Sequence, residues 1–204
     1  MAYNTQPLTK TDLLAMIQDI SNYTDKQLDF YALGGTALTL LNIKSSTLDV
    51  DINIPKEQRA DTKELFKNVG FKQLGTNRWL TQEGFAFDVF HDEHILGTQL
   101  LPDCLEKAKH IQTYNTIRVY TLHPYDIIIS KLARGDDRDF ADIHELLKHK
   151  KINYQELIKR YKQTMNESVI AHEKQKLLDL IEIKLADWNI NIPQEFIEEV
   201  KQWS

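Results

Sequence analysis

The chain has 204 residues, 42% hydrophobic and 27% charged, with 3 Trp, 8 Tyr and 8 Phe against only 7 Gly and 5 Pro. That composition supports a sizeable core in one large domain or two small ones and excludes wholesale disorder. The net charge of −5 provides no global basic field for nucleic acid, and the single Cys104 excludes an internal disulfide and an all-cysteine metal site.

The opening MAYNTQPLTKTD lacks the apolar stretch of a signal peptide. No later run approaches the roughly 20 apolar residues of a membrane helix, so a cytoplasmic protein without a membrane partner is expected. Thr9 and Thr11 are candidate N-caps ahead of Leu13, Leu14, Ile17 and Ile20, whose spacing is helical. Leu28 to Leu33 is rich in aromatic residues and stops at Gly34-Gly35, which predicts a strand. Thr36 to Ile43 predicts a short apolar helix. Leu48 to Ile54 alternates: Leu48, Val50, Ile52 and Ile54 fall on one face of a strand, and Asp49, Asp51 and Asn53 on the other. Lys56 to Val69 predicts a helix stopped by Gly70. Short strands are expected at Phe71 to Leu74 and Arg78 to Thr81, and a further strand at Phe85 to Phe90, apolar except for Asp88. His91, Asp92, Glu93 and His94 predict a polar loop, and Ile117 to Leu122 the last strand. Beyond it, helices are expected throughout. Pro124 suits a first helical position and Gly135 marks a break. A second helix follows from Asp136 or Asp137 to near Lys148, and two or three more lie between Asn153 and Ser204, punctuated at Ile192-Pro193.

Three features carry chemistry. Aspartates at i and i+2 on a strand point the same way, so Asp49 and Asp51 suit a shared hard cation such as magnesium, with substrate phosphates completing its shell. By itself the pattern reads first as a solvated edge strand. The Gly34-Gly35-Thr36 turn lies between a strand and a helix, where backbone N–H groups and the helix dipole suit phosphate, although it also serves as a plain tight turn. Asp88 is a lone carboxylate in an apolar strand. Either it faces solvent or it joins the other two aspartates around metal.

Together, GGTAL, the T-L-D-V-D-I strand and the later isolated aspartate resemble the polymerase-beta-like nucleotidyltransferases. The stretch HPYDIIISKLARGDDRDFADIHELL, from His123 to Leu147, resembles a segment of small bacterial members, including the AbiEii-type toxins and related uncharacterised families. The resemblance implies an α/β (mixed α+β) fold: a mixed sheet flanked by helices, followed by a C-terminal helical domain. It implies a catalytic domain over 1–122 and a helical domain over 123–204 that completes the active-site cleft. Asp49, Asp51 and Asp88 would hold Mg2+ (or Mn2+), and Asp88 would serve as general base. Gly34, Gly35, Thr36, Lys44 and Arg134 would bind nucleotide, with Lys44 standing beside Ser45 where the family often has arginine. Lys131 would neutralise phosphate charge, although a snorkelling lysine at a helix edge fits as well. Arg138, Asp139 and Asp142 would support the site, the aspartates chiefly by ion pairing with Lys131 or Arg138.

The implied activity is transfer of an NMP from an NTP to a hydroxyl acceptor. The AbiEii-type likeness suggests tRNA as acceptor and a toxin restrained by an antitoxin protein. The alternatives are a small-molecule or antibiotic adenylyltransferase and a catalytically inactive nucleotide- or partner-binding module. Lys148, Lys150, Lys151, Lys159, Arg160 and Lys162 form a basic run that reads first as a solvated face and second as an RNA rim. His144 and His149 are expected on a helix surface.

Overall fold

The computed structural model describes residues 3–91, 94–95, 98–167 and 173–203. They divide into two compact units. The first holds the residues up to Ile95 and Pro102–His123, and the second holds Pro124 onward together with residues 98–101.

In the first unit, β1 (Leu8–Thr9) leads into α1 (Lys10–Ser21). Of the two candidate caps, Thr9 is used. Its hydroxyl accepts from the Asp12 N–H, and its own N–H donates to the Asp12 carboxylate at 2.8 Å, a complete capping box. Then come β2 (Leu28–Ala32), α2 (Gly34–Leu40), β3 (Ser46–Thr47), β4 (Asp49–Ile54) and α3 (Arg59–Asn68). They are followed by β5 (Lys72–Gln73), β6 (Arg78–Leu80), β7 (Ala86–His91) and β8 (His94–Ile95). β9 (Thr98–Gln99) belongs to the second unit, and β10 (Lys109–Tyr114) and β11 (Ile117–Thr121) return to the first.

The main sheet runs β10-β11-β2-β4-β7-β6-β5. β11 with β2 and β4 with β7 are parallel, and the other neighbouring pairs are antiparallel, so the sheet is mixed. Residues opposite one another across strands share a face. One face therefore gathers Phe30, Ala32, Val50, Ile52, Ile54, Phe87 and Val89, all buried. Phe66 of α3 meets Phe30, Trp79 and Phe87 edge-on at 5.4–6.5 Å, which builds an aromatic core under that face. The opposite face carries the polar residues of the same strands, Asp29, Asp49, Asp51 and Asp88 among them.

Some expectations need correction. Leu48 precedes β4 and is 54% exposed, so the buried alternation starts at Val50. Of the polar loop expected at residues 91–94, His91 closes β7 and pairs with His94 of β8, while Asp92 and Glu93 lie outside the described residues. β10 was not expected, because Lys109–Tyr114 buries neither face and shows no apolar alternation. It exists as an edge strand paired to β11.

The second unit is helical apart from β9: α4 (Pro124–Arg134), α5 (Asp137–His149), α6 (Tyr154–Asn166), α7 (Glu173–Leu178), a π-helical turn (Asp179–Lys184), α8 (Leu185–Asp187) and α9 (Gln194–Lys201). Gly135, at φ +75°, separates α4 from α5 in a conformation that side-chain-bearing residues rarely adopt. Leu132, Ile143, Leu146, Leu157, Tyr161 and Leu177 form its core. Within that core the Asp126 carboxylate accepts two hydrogen bonds from Arg160, at 2.7 and 2.9 Å, tying α4 to α6. No described helix is long and apolar enough to cross a membrane.

Candidate active site

The parallel pairing of β4 with β7 sets Asp51 directly opposite Asp88, and Asp49 lies two residues back on the same face. Each aspartate offers a carboxylate oxygen, and these oxygens all lie within 4.8 Å of one another. Unscreened, three like charges so close repel; a divalent cation between them removes the repulsion. Hard oxygen donors in this number suit magnesium.

The glycine turn is shaped around these carboxylates. Gly34 has φ +51°, and a Cβ there would stand 2.5 Å from Asp51 Oδ2. A Cβ on Gly35 would stand 2.7 Å from the Thr47 hydroxyl, which in turn lies 3.5 Å from Asp49 Oδ1. Both glycines thus let the turn sit against the groups that place the aspartates. Thr36 is buried, and its hydroxyl accepts from the Asp51 N–H at 2.9 Å and donates to the Asp49 carbonyl at 3.1 Å. Its side chain therefore joins α2 to β4, leaving only its backbone to meet a phosphate. Lys44 follows α2, half-buried, with its N–H bonded to the Leu38 carbonyl.

Sequence reading missed Arg78. It lies opposite Asp88 in the β6–β7 register and forks onto both Asp88 oxygens, Nε at 2.7 Å and a terminal nitrogen at 2.5 Å. Pairing with Asp88 pushes the guanidinium further above its ordinary value. Asp88 is thus neither a solvent-facing strand residue nor an isolated buried charge. Each carboxylate oxygen has two lone pairs, so the bidentate arginine leaves acceptor sites for a cation. The signal was available in principle: Arg78-Trp79-Leu80 and Ala86-Phe87-Asp88 are register partners in a hairpin.

The other candidates lie in the second unit and form their own cluster. Lys131 is buried, with its ammonium 2.6 Å from Asp142 and 3.3 Å from Asp139. Arg134 adds hydrogen bonds to both Asp139 oxygens. Burial pushes the Asp139 carboxyl up, but the Arg134 hydrogen bond and the charges of Lys131 and Arg134 outweigh it and hold the group below its usual value. Arg138 is exposed and makes no ion pair among the described residues. Of the basic run, Arg160 is buried against Asp126 and so belongs neither to a solvated face nor to an RNA rim, while Lys148 pairs with Glu145 and Lys162 with Glu199. His144 stacks on Trp188 at 4.4 Å.

The model of a family described as nucleotidyltransferase of unknown function (DUF6036) matches residues 11–192. The chain belongs to that family. The match spans both units and includes the glycine turn, all three aspartates and the Lys131 cluster. Among solved structures, an antigenic nucleotidyltransferase-like protein from Paracoccidioides brasiliensis is similar in fold, with a TM-score of 0.52 at 19% identity, covering 90% of this chain and 93% of that one. The antibiotic-resistance factor ANT(2'')-Ia is similar at a TM-score of 0.52 and 11% identity, covering 73% of this chain and 89% of its own. No curated protein matches the chain. The nucleotidyltransferase-like mixed α/β fold is therefore established.

Proposed function

We propose that the protein transfers an NMP from an NTP to a hydroxyl acceptor, with a divalent cation held by Asp49, Asp51 and Asp88. The convergence of these three carboxylates within 4.8 Å, beside a glycine turn fitted to them, carries the reading; membership of a nucleotidyltransferase family supports it. Magnesium, or manganese in its place, would supply charge neutralisation and polarisation at the transferred phosphorus. The acceptor oxygen forms a bond to the α-phosphorus as the bond to the bridging β-phosphate oxygen breaks, and pyrophosphate leaves. The acceptor proton passes to Asp88, which yields one Arg78 hydrogen bond to receive it. Gly35 and Thr36 present backbone N–H groups to phosphate. Lys131 is held within the second unit by Asp139 and Asp142.

The AbiEii-type likeness makes tRNA one acceptor to test, with an antitoxin protein as partner. A small hydroxylated acceptor is the second reading, supported by the weakened basic rim and by the fold shared with an antibiotic-resistance factor. Incubation with labelled NTPs, Mg2+ and either total tRNA or a panel of hydroxylated antibiotics is expected to label one acceptor class and release pyrophosphate. NTP binding without transfer to any acceptor would favour the inactive binding module.

Arg78→Ala is expected to weaken Mn2+ binding about 10- to 100-fold, the usual effect of losing a group that orients a metal ligand. Titration followed by electron paramagnetic resonance reads this directly. Unchanged affinity would show that Arg78 only neutralises Asp88.

A further inference from the structure

A cleft of about 550 Å3 opens on the first unit, and none of its lining residues belongs to the carboxylate site. One wall is α1 and the second is the segment just ahead of it. The third joins the end of α3 to the turn between β6 and β7. Met16, Ile20, Val69, Phe71 and Phe85 give the cleft an apolar lining. Phe71 packs on the core, 5.0 Å from Phe66 and 5.2 Å from Phe87 between ring centres, and still remains half-buried rather than covered. Asp12, Asp19 and Glu83 also line the cleft, all three exposed, and no Lys, Arg or His does. Among the described residues neither Asp19 nor Glu83 has an ion pair.

The walls are tied together without a ligand. The Asn4 N–H donates to the Gly84 carbonyl at 2.9 Å, and the Asn4 side-chain amide donates to the Glu83 carbonyl at 3.2 Å. The Gln82 amide donates to the Val69 carbonyl at 3.1 Å, joining the turn to the end of α3. The Thr9–Asp12 capping box fixes the entry into α1. An occupant therefore has little ordering to bring about. The volume lies within the roughly 300–1,000 Å3 of small-molecule sites. Charge selects among occupants. Three carboxylates with no lining cation repel an anion and attract a cation. A bare metal ion does not fit, because among the described residues only Asp49, Asp51 and Asp88 bring three such ligand atoms together. Spread carboxylates around an apolar lining suit an ammonium group on an apolar body, and the rings of Phe71 and Tyr23, the latter 57% exposed, add cation–π partners. We propose that this cleft binds an amphipathic organic cation, an apolar ring or chain carrying an ammonium group. The proposal stands independently of the nucleotidyltransferase reading.

The test is calorimetric titration of the full chain, at low salt and in Mg2+, with three probes that share one ring system. These are 1-naphthylmethylamine as the cation, 1-naphthalenemethanol as the neutral form and 1-naphthaleneacetate as the anion. The amine is expected to bind saturably, at least about tenfold tighter than the acid. Asp19→Asn and Glu83→Gln are each expected to weaken the amine about two- to fivefold, the range of an exposed ion pair, and to leave the alcohol unchanged. Asp12 is kept because it caps α1. Ala15→Phe, on the exposed side of α1 that lines the cleft, is expected to weaken amine and alcohol alike by filling the space. Thermal melts confirm that the variants, all at exposed positions, are folded. If the alcohol binds as tightly as the amine, the cleft selects an apolar body alone and the cation assignment is overturned. If Asp49→Asn removes amine binding while the cleft variants leave it intact, the amine sits on the metal-site carboxylates and the cleft proposal is wrong. If the wild type does not bind the amine, the proposal is likewise overturned, and the nucleotidyltransferase reading is untouched.

Discussion

Asp49→Asn is expected to lower nucleotidyl transfer by more than about a thousandfold while leaving the protein folded. Deleting a single hydrogen-bond donor to a developing charge already removes about 10²–10³ in rate, and Asp49 would contribute a full ligand charge to the group that neutralises the triphosphate. A thousandfold corresponds to about 4 kcal/mol in the barrier. Stability moves the other way. Without divalent cation, Asp49, Asp51 and Asp88 crowd three carboxylates within 4.8 Å, and an isosteric amide relieves part of that repulsion. In EDTA the variant is therefore expected to melt at or above the wild-type temperature. Wild type gains stability from bound cation, about 2.7 kcal/mol at a hundred times the dissociation constant, and the variant loses that increment. The checks are kcat/KM with Mg2+ and paired melts in EDTA and in Mg2+. A melt lowered in EDTA would mean that Asp49 is structural. Activity within tenfold of wild type would remove it from the metal site.

These opposite signs follow from an arrangement only partly legible in the sequence. The alternation over Leu48–Ile54 placed Asp49 and Asp51 on one face because a two-residue period is a local property. The glycine turn was legible because Gly34 and Gly35 interrupt an aromatic strand ahead of an apolar helix. Their tight approach to Asp51 and Thr47 was not, since it depends on α2 folding back over β4. Arg78 was missed because it meets Asp88 through the β6–β7 register, which shows only when the two segments are paired as a hairpin. Leu48 failed in the opposite sense: its hydrophobicity fits the pattern, but the strand begins one residue later. Arg160 reads as a solvated residue from its charged neighbours, whereas its partner Asp126 lies 34 positions earlier.

Arg160→Ala is the second large expected effect, and it is an effect on stability. Asp126 is fully buried, and both of its oxygens accept from a guanidinium only 7% exposed. Removing the arginine takes two hydrogen bonds and the neutralising charge from a desolvated carboxylate, which costs about 3–5 kcal/mol, a large share of a typical 5–15 kcal/mol folding free energy. The loss should appear as a lower urea midpoint in the fluorescence of Trp188 and Trp203, both in the second unit. A well-packed apolar double replacement such as Asp126→Leu with Arg160→Met is expected to recover most of it. Desolvation of the buried carboxylate, more than the missing attraction, makes the single variant costly. If Arg160 instead served a nucleic-acid rim, Arg160→Ala would leave the urea midpoint in place and reduce the salt dependence of RNA binding by about one counterion. The two readings therefore move different observables. Burial of Arg160 against Asp126 predicts a moved midpoint with the salt slope unchanged.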